Sequence, residues 1–176
     1  MLRALSTVGG FTMMSRILGL VREIFMAAFL GTSIVTDAFY AALRLPNMFR
    51  RIFGEGAFNS AFVPLFGREL ADGNPEVAHR FARNAFSWLG GVLLVATLII
   101  IPGMPWFAKL LVPMAEPDTY VLVVAYGRIM FSYLLCMALS AHLSGVLNTV
   151  GVFSMPAFAP VLLNVLMLVV LGVLVP

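Results

Sequence analysis

"LRLPNMFRRIFGEGAF", residues 43–58, places three arginines and one glutamate among apolar side chains. The surrounding chain of 176 residues is 61% hydrophobic and only 11% charged, with a mean hydropathy of +1.01. Soluble domains usually carry about 25% charged residues. A small soluble core cannot bury this excess of apolar side chains, so the composition predicts membrane-spanning helices. Charged side chains are costly within a membrane, so the charges of residues 43–58 require a structural or functional explanation.

Five apolar segments are long enough to cross a membrane, which takes about 20 residues each. The predicted fold class is therefore an all-α polytopic membrane protein. The second segment contains the stretch 43–58 and is expected to bend at Pro46 and at the Gly54/Gly56 pair. The third is expected to stop at Pro102. The five segments run from about 5–30, 36–66, 78–101, 119–149 and 156–176.

The distribution of positive charge predicts how these helices are oriented. The polar stretch 67–80 is expected to form a loop between the second and third segments. Arg3 and the arginine-rich 67–83 loop favour the cytoplasmic side, and 31–36 and 109–119 then lie outside. No clear small-x-small cleavage site follows the first segment, so we expect an uncleaved helix and a cytoplasmic N-terminus. The apolar run that reaches Pro176 suggests the N-terminal part of a larger membrane protein.

The charges of the second segment follow a helical spacing. Asp37, Arg44, Arg51 and Glu55 are seven, seven and four positions apart, so they share one side of a helix. Asn47 lies on the same side of the helix. We call this set the polar ladder: Asp37, Arg44, Asn47, Arg51 and Glu55. Arg50 lies next to it. The first segment adds Arg16, Arg22 and Glu23.

Two interpretations of the polar ladder remain open. In the structural one, Arg51 pairs with Glu55 at i, i+4 and the other charges reach the membrane interfaces. In the functional one, the helices line a hydrated, cationic cavity for an anionic substrate. Arginine outnumbers carboxylate here, and its planar fork suits phosphate and stays charged. A proton relay would instead favour carboxylates or histidine.

Other polar positions indicate helix contacts rather than chemistry. Ser15 and Gly19 form a small-x-x-x-small pair that lets another helix approach. Asn164 is expected to make a helix–helix contact, and His142 an interhelical hydrogen bond rather than a proton path. Cys136 is alone and expected to be buried, so neither a disulfide nor a thiolate metal site is predicted. No metal site or cofactor is expected, because the sequence shows no His/Cys metal cluster and no Gly-rich phosphate loop. No nucleic-acid partner is expected, because the basic residues are scattered through apolar stretches.

Three stretches resemble a known family. They are "SRILGLVRE" (15–23), "TDAFYAALRLPNMFRRIFGEGAFNSAFVP" (36–64) and "LNTVGVFSMPAFAP" (147–160). In this order they look like the N-terminal signatures of the bacterial lipid II flippases, the MurJ/MviN family. This family belongs to the multidrug/oligosaccharidyl-lipid/polysaccharide exporter superfamily.

The resemblance implies a fourteen-helix, two-lobe transporter of the cytoplasmic membrane, of which this chain would supply most of the N-terminal lobe. The second lobe would be a partner from the same protein. The family moves a lipid-linked peptidoglycan precursor, an undecaprenyl-diphosphate-muropeptide, from the inner to the outer leaflet without covalent change, so no enzyme is implied. Its essential cavity arginines fall on Arg16, Arg22 and Arg50, which would bind the diphosphate.

The same motifs match acidic family positions at Asp37 and Glu55. Glu23 differs from the family, since relatives often have aspartate there. Glu23 would belong to a cavity charge network, whose other members would be Asp37, Arg44, Asn47, Arg51 and Glu55. Two alternatives stay open: another exporter of the same superfamily, carrying polysaccharide-lipid or drugs, and a non-transporting scaffold or half-transporter.

Overall fold

A computed structural model describes residues 2–31, 33–53 and 57–174. Within these ranges the chain forms six α-helices. They are α1 (Leu2–Leu30), α2 (Ile34–Phe53), α3 (Ala57–Ala71), α4 (Pro75–Leu111), α5 (Pro117–Thr149) and α6 (Ser154–Leu174). The predicted second segment corresponds to α2 and α3. The expected bend at Gly54 and Gly56 lies outside the described residues, as does Glu55.

The helices divide into two compact units. One unit comprises residues 1–33 and 150–176 and pairs α1 with α6, and the other comprises residues 34–149. In the first unit the aromatic rings of Phe11 and Phe158 meet edge to face with centroids 5.6 Å apart. Such a T-shaped pair adds to the packing of two helices beyond simple area burial.

In the second unit, α5 is the helix on which the others pack. The largest core cluster joins one residue of α2 to α4 and α5. α2 contributes a stripe of small residues at i, i+3 and i+4, namely Ala38, Ala41 and Ala42, all buried. Small side chains let helix backbones approach closely. The main cluster consists of Leu45, Leu89, Leu93, Ile100, Met104, Phe131, Leu134 and Ala138.

The polar stretch 67–80, predicted as a loop, is mostly helical. α3 continues to Ala71 and α4 begins at Pro75. Gly73 has a φ of +76°, which glycine adopts without strain. The Asn74 side chain accepts a hydrogen bond from the Val77 N–H at 3.4 Å and caps α4. The prediction was wrong because the length of an apolar run marks the membrane crossing, whereas helices extend past it.

The expected stop at Pro102 is also wrong, because α4 passes through Pro102 and Pro105 to Leu111. A proline at 105 has no N–H for the carbonyl of Ile101. The Arg128 Nε–H of α5 donates to that carbonyl oxygen at 3.3 Å instead. Membrane helices tolerate proline where a neighbouring group satisfies the released carbonyl. Arg128 therefore accounts for the carbonyl that Pro105 releases.

Three helices among the described residues are long and apolar enough to cross a membrane, judged by length and composition: Pro75–Leu111, Pro117–Thr149 and Ser154–Val173. α1 and α2, which are not among the three, carry four charged residues each. The full count of five spans stays a prediction. Many large apolar side chains are exposed, as lipid contact requires. Cys136 is exposed as well, contrary to expectation, because apolar stretches of a membrane helix also face lipid. The all-α membrane fold is confirmed.

Candidate anion-binding site

Arg22 is held in place within the α1–α6 unit. Its Nη1 donates to the Oδ1 of Asn164 at 3.1 Å. Its Nη2 lies 3.5 Å from Glu23 Oε1, in an ion pair whose side chains are 24% and 66% exposed for Arg22 and Glu23. Exposed ion pairs of this length contribute little. The amide of Asn164 is therefore the main anchor of the guanidinium.

Asn164 is itself buried and oriented by α1. Its Nδ2 donates to the carbonyl oxygen of Ser15 at 3.0 Å and to the Ser15 hydroxyl at 3.3 Å. A Cβ placed on Gly19 would lie 3.7 Å from the same Nδ2, which is ordinary van der Waals contact. The predicted close approach at Ser15 and Gly19, and the predicted helix contact of Asn164, are both confirmed.

Arg16 lies on α1 with its side chain exposed. It precedes Arg22 by six positions, so the two side chains leave the helix about 120° apart. Arg22 and Glu23 are the pair that the structure brings together in this unit. Arg50 belongs to the other unit.

The polar ladder lies away from the packed face of α2. Asp37, Arg44, Asn47 and Arg51 are all exposed, whereas the alanine stripe and Leu45 are buried against the rest of the unit. Among the described residues, the ladder thus lies on the exposed side of α2, and the buried side consists of small and apolar residues. The expected ion pair of Arg51 with Glu55 falls outside the described residues.

Arg50 stands beside the ladder and is half-buried. It lines a small cavity of about 60 Å³ between α2 and α5. Asn47 and Tyr133 line the same cavity, with Pro46 at the bend-prone part of α2. A cation in such a partly enclosed place interacts with an anion more strongly than one in open water. Arg50 is therefore a different kind of candidate from the exposed arginines.

The buried polar groups of the second unit make helix contacts. His142, 1% exposed, has its Nε2 at 3.4 Å from the Ala82 carbonyl oxygen of α4. Its ring lies against Phe62, with centroids 4.4 Å apart. Asn59 of α3 donates to the Ala141 carbonyl oxygen at 3.2 Å. The predicted interhelical bond of His142 is confirmed, and the contact of Asn59 was not foreseen.

Arg128 also escaped the sequence reasoning. The signal that could have found it is Pro105, which releases the carbonyl of Ile101 and so calls for a donor from a neighbouring helix. Within the described part of the chain, no group of three or more metal-binding side chains comes together.

Comparison with known proteins bears out the family resemblance. Residues 26–176 match the family described as lipid II flippase MurJ. The chain is 44% identical over 175 residues to the probable lipid II flippase MurJ of Rhizobium meliloti, covering 98% of this chain and 33% of that protein. It is 42% identical over 165 residues to the lipid II flippase MurJ of Burkholderia cenocepacia, covering 93% and 32%. The chain spans about a third of the length of these relatives. It belongs to the lipid II flippase MurJ family.

Proposed function

We propose that this chain is part of a flippase that moves lipid II, a lipid-linked peptidoglycan precursor, across the bacterial cytoplasmic membrane for cell-wall synthesis. The observation that carries the proposal is the weakly compensated positive charge of Arg22. Its guanidinium lies on α1 and donates to the neutral amide of Asn164. Among the described residues, its one carboxylate partner is Glu23, at 3.5 Å and with a side chain that is 66% exposed. A poorly compensated cation in a membrane is costly, and such residues mark substrate pathways. An anionic substrate would supply the missing countercharge.

The arginines would act on the diphosphate. Arg16, Arg22 and Arg50 would bind its oxygens in a hydrated cavity, because each guanidinium can offer two parallel N–H donors. The polyprenyl tail would remain in lipid between helices. No bond of the substrate is made or broken, so the protein would act as a transporter and not as an enzyme.

The polar ladder would set the electric field around this substrate. Asp37, Arg44, Asn47 and Arg51, with Glu23 and Glu55, would exchange partners as the transporter changes shape. Arginine excess in the set would keep the cavity attractive to an anion. Charges that move across the membrane potential gain about 2.3 kcal/mol each per 100 mV, which offers one source of energy.

The other two thirds of the relatives' length would supply the rest of the N-terminal lobe and the second lobe. We propose that the described helices form most of the N-terminal lobe of a fourteen-helix transporter with a cytoplasmic N-terminus. Alternating access by rocking of two lobes around a midplane site is general for such folds. The second lobe and the surrounding lipids would then be the partners of this chain.

The test uses a chimeric flippase, in which this chain replaces the matching third of the Burkholderia cenocepacia relative. In cells depleted of their own flippase, Arg22→Ala should lower the outer-leaflet appearance of lipid II at least tenfold. One charge-assisted hydrogen-bonded contact is worth roughly 1.5–3 kcal/mol, and about 1.4 kcal/mol is tenfold. Arg83→Ala, which removes an exposed arginine of α4, is the matched control and should leave transport unchanged.

Two outcomes would contradict the proposal. One is a chimera that reaches normal membrane levels yet leaves lipid II on the inner leaflet. The other is normal transport by Arg22→Ala at normal levels. Loss of transport with Arg83→Ala as well would show that any lost arginine is damaging, and would remove the special role of Arg22.

A further inference from the structure

We propose that Asn164 is the positioning residue for Arg22, holding its guanidinium in the orientation that receives the diphosphate. This inference rests on the proposed function. It assigns a role to an uncharged residue of α6, far along the chain from the arginine on which it acts.

The orientation of the Asn164 amide follows from its partners on α1. Its Nδ2 donates to two oxygens of Ser15, one from the backbone and one from the hydroxyl, at 3.0 and 3.3 Å. A nitrogen with two acceptors leaves the carbonyl oxygen Oδ1 turned the other way, toward Arg22. A flipped amide would place N–H donors against a cation that has only donors. The bonds to Ser15 therefore select the amide orientation that accepts from Arg22.

Gly19 makes room for this amide. Ser15, Gly19 and Arg22 lie at i, i+4 and i+7, so they line up on one face of α1. A Cβ at Gly19 would already touch Nδ2 and Oδ1, at 3.7 and 4.0 Å. A larger side chain there would occupy the path along which Asn164 reaches from Ser15 to Arg22. The face is thus shaped for one amide that bridges two residues.

The anchor determines how Arg22 is presented. The Nε of Arg22 is buried and has no hydrogen-bond partner among the described residues. An arginine left to itself would turn so that this N–H finds an acceptor, and the bond from Nη1 to Asn164 prevents that turn. In the described part of the chain, Nη2 contacts Glu23 alone, at 3.5 Å. A phosphate oxygen can displace so weak a partner.

A neutral amide suits this role better than a carboxylate. Asn164 fixes the guanidinium through a carbonyl oxygen and leaves its full positive charge available to the substrate. A carboxylate at the same place would form a strong ion pair with Arg22 and compete with the diphosphate. Orienting the side chain beforehand also removes ordering entropy that substrate binding would otherwise have to overcome.

The experiment measures the affinity of the purified chimeric flippase for lipid II. Asn164→Leu keeps similar volume and removes the amide, and we expect about tenfold weaker binding. Asn84→Leu, at an exposed position of α4, is the matched control and should bind like the parent. In the Arg22→Lys background, which keeps a charge but loses the fork, Asn164→Leu should cost less than about twofold, because contacting pairs are not additive.

The results separate this inference from the proposed function. If Asn164→Leu weakens lipid II binding equally in the parent and in the Arg22→Lys background, its role is merely structural and the inference is overturned. Parental affinity of Asn164→Leu would overturn it as well. Parental affinity of Arg22→Ala would overturn the proposed function itself. If Asn164→Leu does not reach the membrane, Gly19→Leu displaces the amide from the α1 side and should weaken binding similarly. Unchanged affinity there would also overturn the inference.

Discussion

The contact between α4 and α5 at Gly127 allows a sharp prediction about stability. Gly127 is buried, and a Cβ on it would lie 2.7 Å from Met104 Sδ and 3.1 Å from Met104 Cγ. Met104 is 1% exposed and belongs to the main core cluster, so its side chain has little room to move. Gly127→Ala should therefore overpack this interface and lower the free energy of unfolding.

The magnitude follows from two opposing effects. Forcing an extra methyl group into a packed core costs about 1–3 kcal/mol. Replacing glycine by alanine within a helix gains roughly 1 kcal/mol through helix propensity. Gly91 of α4 provides the matched control, because nothing lies within 4 Å of its added Cβ. Relative to Gly91→Ala, which should be neutral or stabilising, Gly127→Ala should be less stable by about 1–3 kcal/mol.

The assay is unfolding of the purified protein in detergent, with a second substitution to identify the cause. Met104→Ala removes the atoms that a Cβ at Gly127 would meet, and it should cost about 2–5 kcal/mol by leaving a cavity. In that background Gly127→Ala should become neutral or stabilising, because its methyl group partly fills the cavity. Equal stability of Gly127→Ala and Gly91→Ala would refute the reasoning. So would a Gly127→Ala penalty that persists unchanged in the Met104→Ala background.

Three further substitutions test polar contacts of the second unit. His142→Gln should change the free energy of unfolding by less than about 1 kcal/mol, because interhelical hydrogen bonds in membranes average roughly 0.6 kcal/mol. It should also leave lipid II transport by the chimeric flippase intact. Abolished transport at normal protein levels would instead indicate a proton path. Arg128→Leu should destabilise the protein by roughly 1–3 kcal/mol, because the Ile101 carbonyl loses its donor. Pro105→Ala restores a backbone N–H and should remove that penalty, and a penalty that remains would disprove the account.

The helical architecture could be predicted from hydropathy alone, but its boundaries could not. Apolar length identifies where a chain crosses lipid, and the polar stretch 67–80 therefore looked like a loop although it lies largely in α3 and α4. Pro102 looked like a stop because the rule for proline describes an isolated helix. Arg128 comes from a helix that the local sequence does not contain, and it satisfies the carbonyl of Ile101 that Pro105 releases.

The candidate site shows the same division between local and tertiary information. The polar ladder follows from spacing along one helix, so its exposed face was predictable. Ser15, Gly19 and Asn164 were each recognised as contact-forming residues. Their meeting was not predictable, because it depends on the register between α1 and α6, which periodicity within either helix does not contain. Without that register, Arg22 could be singled out but not its anchor.

The three arginines that we propose to bind the diphosphate have different environments, and this difference suits the proposed transport. Arg22 is anchored, Arg50 is half-buried beside a small cavity, and Arg16 is exposed. Three rigid cations would hold a diphosphate tightly on both sides of the membrane, and tight uniform binding does not favour release. Under the proposed function, one anchored guanidinium would define the orientation of the substrate, and an exposed one would follow it as the transporter changes shape. Under the proposed function, we expect Arg22, held by Asn164, to set the orientation of the bound diphosphate. We expect the exposed side chain of Arg16 to move with the diphosphate during transport.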